Sequence, residues 1–150
     1  MAPEPGSVYS DDASISGDEV LYRVISTGHV VWDGTTPVRV QTNAFQDQNE
    51  SKLPDLGVPA VAVSVFLHSE VAKSGRTPSE LRWSTDHGIA MVTAADVRAQ
   101  GQGIVKSPKD GSPEHAMVFT LQGAKKSKGQ SKRIAETAQI LIAPTPPPLV

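Results

Sequence analysis

Apolar and polar positions along this chain fall into short alternating stretches, each closed by a turn or cap signal. Val20–Ile25 (VLYRVI) reads as a strand, with Leu21, Arg23 and Ile25 on one face and Tyr22 and Val24 on the other. His29–Trp32 is a brief apolar piece ended by the turn signal Asp33-Gly34. Pro37–Gln41 alternates and reads as a second short strand, after which Thr42 and Asn43 cap a turn carrying Ala44 and Phe45. Residues 46–58 have the composition of a surface loop. Ala60–Leu67 (AVAVSVFL) is apolar on both faces apart from Ser64, the pattern of a central, buried strand.

Helix signals come next. Thr77-Pro78-Ser79-Glu80 is a capping box with Pro at the first helical position, opening a short helix that ends near Trp83 and Ser84. Ile89–Val92 is a strand running into Thr93-Ala94-Ala95-Asp96, where Thr93 caps a second helix and Gly101 closes it. Ile104–Lys106 is a strand, Ser107–Pro113 a turn and Ala116–Leu121 another strand, so Gly88–Gly123 reads as a β-α-β-β unit. Ser127–Ile142 fits one helix with Ile134, Ala138, Leu141 and Ile142 as its buried stripe.

The expected fold is α+β: a small mixed or antiparallel sheet of five or six short strands with about three short helices. Residues 1–18 are rich in Pro, Gly, Ser and Asp and are expected to form a disordered acidic arm. Residues 19–143 form a single domain on this reading, and 144–150 a Pro-rich, polyproline-like tail.

Composition narrows the chemistry. The chain has 150 residues and no cysteine, which excludes disulfides, thiolate zinc sites and thiol nucleophiles, and suits a reducing cytoplasm. No apolar run reaches the roughly 20 residues of a membrane span, and the N-terminus lacks the pattern of a signal peptide, so no membrane partner is expected. Net charge is −2, but its distribution is uneven. Lys125, Lys126, Lys128, Lys132 and Arg133 cluster without an acid, either as a solvated helix face or as an anion-binding patch. No aromatic is interleaved with them, so nucleic-acid binding there would be weak and phosphate-dependent.

His115 sits where the Pro-rich turn meets a strand, a position from which an imidazole can act as a base or hold a phosphate, or simply bond a loop carbonyl. The histidines, His29, His68, His87 and His115, have no metal-ligand spacing, and no metal or cofactor is expected. There is no G-x-S-x-G; Ser64 lies within a strand, where a hydroxyl ordinarily bonds the backbone. Gly101-Gln102-Gly103 follows its helix instead of preceding it, the reverse of a dinucleotide fingerprint. Arg23 and Arg98 are expected to be partly buried, each paired with a carboxylate such as Glu114 or Asp96 or holding an anionic ligand.

LYR (21–23), VVWD (30–33), AF (44–45), SV (64–65), GIAMVTAADVR (88–98) and SPEHAMV (112–118) occur in this order. The series resembles a group of small, uncharacterised bacterial hypothetical proteins, over about residues 20–143. The resemblance points to His115, Arg23 and Arg98 but implies no activity, and Thr42-Asn43 stands where serines are expected before Ala44-Phe45. Three functional readings follow. One is a non-enzymatic interaction or accessory protein of a bacterial cytoplasmic system, such as a toxin–antitoxin or defence operon, with another protein as partner. Another is a small nucleotide-utilising transferase or hydrolase whose site gathers Arg23, Thr42, Ser64 and His115 at one end of the sheet. The third is weak phosphate-dependent nucleic-acid binding.

Overall fold

A computed structural model describes residues 11–49, 61–108, 112–122 and 126–148. The chain forms β1 (Val20–Ile25), β2 (Val30–Asp33), β3 (Thr36–Val40), the two-residue β4 (Gln48–Asn49) and β5 (Val61–Leu67). Helix α1 (His68–Lys73), β6 (Gly88–Thr93), α2 (Ala94–Arg98), β7 (Gln102–Lys106), β8 (His115–Thr120), α3 (Lys128–Thr137) and β9 (Gln139–Ile142) follow. Single 3-10 turns lie at Thr27–His29, Thr42–Phe45 and Pro78–Leu81. Six strands form an antiparallel sheet in the order β7-β8-β5-β1-β6-β9, and β2 and β3 form a separate hairpin. The fold is α+β, as the alternation of strand and cap signals predicts.

One face of the sheet buries Leu21, Ile25, Val63, Val65, Leu67 and Ala90, packed with Ile134 and Ala135 of α3 and Val97 of α2. The opposite face buries Tyr22, Val24, Phe66 and Ile89 beneath Val71 of α1 and Leu81. The expected Thr93 cap is present, with the Asp96 amide donating to Thr93 Oγ1 at 3.2 Å, and the structure adds a cap at Ser127, whose Oγ accepts from the Gln130 amide at 3.1 Å. Gly101 has φ of 72°, the left-handed conformation that glycine adopts most cheaply after a helix. No helix among the described residues is long and apolar enough to cross a membrane.

Several expectations are corrected. The helix drawn to Ile142 ends at Thr137, and Gln139–Ile142 turns into β9, pairing Ile140 with Ala90 and Ile142 with Ile89. Thr137 Oγ1 donates to the Ile134 carbonyl at 2.7 Å, diverting an acceptor at the helix end, and β6 offers an edge that β-branched Ile140 and Ile142 can cover. Leu141, placed on the buried stripe by a helical reading, is 44% exposed. Helix α1 is an addition, running directly out of β5 with no capping side chain of its own. Its cap comes from a distance: Glu19 accepts from the Ser69 amide at 2.9 Å and from the Ser69 hydroxyl at 2.7 Å.

The acidic arm is also partly ordered. Residues 11–18 lie against the body, with Ile15 only 2% exposed in the core. The Asp12 amide donates to the Ile104 carbonyl at 2.9 Å, and the Ile104 amide donates to Asp11 Oδ1 at 2.8 Å. One apolar residue and two acids that complete an edge strand thus outweigh the polar composition. Residues 1–10 and most of the surface loop (50–58) lie outside the described residues; Gln48–Asn49 of that loop form β4. The Pro-rich tail begins pinned, with the Thr145 amide donating to the Asp86 carbonyl at 2.9 Å.

Candidate functional site

The site arises from an interruption in the sheet. Between β1 and β6 six residue pairs are in register, but between β1 and β5 only Leu21↔Leu67 and Tyr22↔Phe66. Farther along, β5 pairs with β4 at Ala62 and Val61, while β8 runs beside Val63–Phe66. Among the described residues, 63–65 of β5 therefore have no registered partner in β1 or β4, and the head of Arg23 lies beside that stretch. Arg23 Nε donates to the Ala44 carbonyl at 2.9 Å and Nη1 to the Ser64 carbonyl at 3.2 Å.

A cavity of about 370 Å³ opens at this interruption. Arg23, Val24 and Ser26 line it from β1 and its end, Ser64 and Phe66 from β5, and Ser112 and His115 from the start of β8. His29, Trp83 and His87 also line it, and none of the described lining residues is a carboxylate. Glu114, next in sequence to His115, is already engaged: its carboxylate pairs with Arg76 and accepts from Ser112 Oγ at 3.0 Å. Asp96 caps its own helix. Neither acid meets Arg23, and among the described residues no carboxylate forms an ion pair with it. Burial pushes the Arg23 guanidinium down to about 10, which leaves it cationic at neutral pH.

His115 joins the β7–β8 turn to the cavity. Its Nδ1 lies 3.0 Å from the Ser107 carbonyl and its Nε2 lies 3.1 Å from Ser64 Oγ. A carbonyl oxygen can only accept, so Nδ1 carries the proton of the neutral ring and Nε2 is left to accept from the Ser64 hydroxyl. The Phe66 ring meets the imidazole edge-on at 5.6 Å between centroids and fixes its plane. Ser64 Oγ also approaches Met117 Sδ at 3.7 Å, a far weaker acceptor.

Two further imidazoles share the cavity. His29 is held at about 4, mainly by burial and then by the charges of Arg23 and His87, so it is neutral at pH 7. Its Nδ1 accepts from the Ser26 amide at 3.1 Å. His87 stands edge-on to Trp83 at 5.5 Å, and its buried Nδ1 has no hydrogen-bond partner among the described residues. Although three histidines line one cavity, no group of His, Asp or Glu among the described residues is arranged to hold a metal.

The expected constellation of Arg23, Thr42, Ser64 and His115 is met in three members. Thr42 lies in the 3-10 turn that supplies the Ala44 carbonyl, but not on the cavity wall. Arg98 is not an open anion site, because Asp11 sits 2.9 Å from its Nε and the Asp12 carbonyl accepts from Nη2 at 3.1 Å. Lys126 is likewise corrected: its side chain has no solvent exposure and pairs with the equally buried Asp47 carboxylate. Lys128, Lys132 and Arg133 are exposed on α3, and Lys125 lies outside the described residues. Ser26, His29, Trp83 and His87 carried no local signal in the sequence, since their place on the wall comes from irregular segments. No protein-family model, curated protein or solved structure matches this chain, so its own geometry carries the reading of the site.

Proposed function

We propose that the cavity binds a phosphorylated small molecule of the nucleotide class, with Arg23 as the phosphate anchor. The observation that carries this reading is an arginine 6% exposed, its guanidinium held by two backbone carbonyls and, among the described residues, matched by no carboxylate. Burying an uncompensated cation costs several kcal/mol, and a bound anion offsets that cost. Two of the five guanidinium N–H groups serve carbonyls, leaving a fork of the kind that grips phosphate oxygens. The volume falls within the roughly 300–1,000 Å³ of small-ligand pockets. Trp83, 70% exposed at the wall, offers a ring on which a base can stack.

The test is a fluorescence titration, since Trp83 and Trp32 are the two tryptophans. Inorganic phosphate and AMP should both bind, AMP more tightly and with quenching lost in Trp83→Phe. Arg23→Gln should weaken both by at least about 10-fold, the worth of one charge-assisted hydrogen bond. If neither anion changes the fluorescence or raises Tm, the reading fails.

A second reading, the accessory protein of a bacterial cytoplasmic system, is supported by β9. Among the described residues it ends the sheet and pairs only with β6, and it exposes Leu141, so a partner could add a strand there. Such a partner should lose affinity on Leu141→Lys, whereas phosphate binding should not change.

A further inference from the structure

We propose that Ser64 and His115 are a nucleophile and its general base, and that the protein cleaves phosphate monoesters through a phosphoserine at Ser64. This inference rests on the anion-site reading above. Its own support is a chain of contacts that orients three groups in turn. The Ser107 carbonyl fixes the proton on His115 Nδ1 at 3.0 Å, and Nε2 meets Ser64 Oγ at 3.1 Å. A base held by a third group and aimed at a hydroxyl is the arrangement that activates a serine. Here a backbone carbonyl takes the orienting role that a carboxylate has elsewhere.

A serine in a buried strand usually satisfies a nearby backbone carbonyl. Ser64 differs in two respects: its hydroxyl is bonded to an imidazole, and it lines the cavity instead of lying under packed side chains. The anion anchor is attached to the same residue, because Arg23 Nη1 donates to the Ser64 carbonyl at 3.2 Å. A phosphoryl group gripped by the rest of that guanidinium is therefore held beside Ser64 Oγ. Positioning of this kind supplies much of the barrier lowering in phosphoryl transfer, and a guanidinium offsets the charge on the equatorial oxygens.

The steps balance without a further reactant except water. Ser64 Oγ forms a bond to phosphorus as His115 Nε2 takes its proton, and the bond from phosphorus to the ester oxygen breaks. The departing alkoxide receives the proton from His115 and leaves as an alcohol. Water then attacks the phosphoserine, giving a proton to His115; the Oγ–phosphorus bond breaks, and the proton returns to Ser64. The products are one alcohol and one inorganic phosphate. His29, neutral at pH 7, adds no charge beside Arg23.

The experiment uses the full chain with p-nitrophenyl phosphate, following nitrophenolate release and, after acid quench, peptide mass. Phosphate binding by fluorescence is measured on the same samples. The expected result is turnover with a phosphoryl adduct mapped to Ser64. Turnover should fall by at least about 100-fold in Ser64→Ala and in His115→Gln, with phosphate binding kept. Should either variant fail to fold, the position of the adduct in the wild-type chain decides. Phosphate binding without turnover or adduct, or turnover that survives Ser64→Ala, overturns the catalytic inference and leaves the binding reading intact. Absence of phosphate binding overturns both.

Discussion

Lys126 and Asp47 form a buried ion pair, each side chain without solvent exposure, and the Lys126 amide adds a bond to Asp47 Oδ2 at 2.6 Å. Burial pushes the lysine below its ordinary range, and the facing carboxylate draws it part of the way back. Removing one partner strands the other, so Lys126→Ala should cost about 3–5 kcal/mol in urea unfolding. Joint replacement by Lys126→Met and Asp47→Leu should cost much less. His29 makes a different prediction. The unfolded ring titrates near 6.5 and the folded ring near 4, so below 6.5 the unfolded chain takes a proton that the folded chain refuses. Its contribution to stability is complete above 6.5 and is lost as pH falls towards about 4. The urea midpoint should drop across that window, and His29→Gln should flatten the drop. At this scale the strand face of Arg23, the place of Ser64 within a strand and that of His115 at a strand's mouth are legible in the sequence. What was not legible is pairing: Lys126 reads as one cation in a basic run because its partner lies 79 positions away.

The elements that announce themselves carry their own caps. Thr77, Thr93 and Ser127 each close a capping box within four residues, so local chemistry suffices to place them. Helix α1 escaped for the complementary reason, since its cap is the carboxylate of Glu19, 50 positions earlier. Glu19→Ala should therefore destabilise the fold by about 0.5–2 kcal/mol, with loss of amide protection concentrated in α1. The end of α3 is not legible locally, because a helical stripe and a strand alternation overlap at 138–142, and the edge of β6 decides between them. That docking is tight. A Cβ on Gly88 would run into the Ile142 carbonyl and lie 2.6 Å from Pro144 N, both backbone atoms with little room to yield. Gly88→Ala should cost about 1–3 kcal/mol, and thermal melts should show it even though alanine is the better former of regular structure.

At the scale of the molecule the sheet is continuous along β8, β5, β1 and β6, yet it is breached on one edge of β5. Alternation could place Arg23 and Ser64 on strands, but the breach between those strands follows from which segments pair, and pairing between distant segments leaves no local mark. The ordered part of the N-terminal segment belongs to the same scale. Ile15 is its anchor, so Ile15→Ala should cost about 2–5 kcal/mol and expose the Asp11–Arg98 contact to salt. The contacts of Asp11 and Asp12 with Ile104 have a consequence for assembly. They occupy the outer margin of β7 at its middle, while β9 at the far margin pairs only with β6 among the described residues. A sheet with one closed and one open margin can be extended once and then stops. Any association through strand addition should accordingly saturate at one added copy or one partner per chain, and filaments should form only when Asp11 and Asp12 are removed.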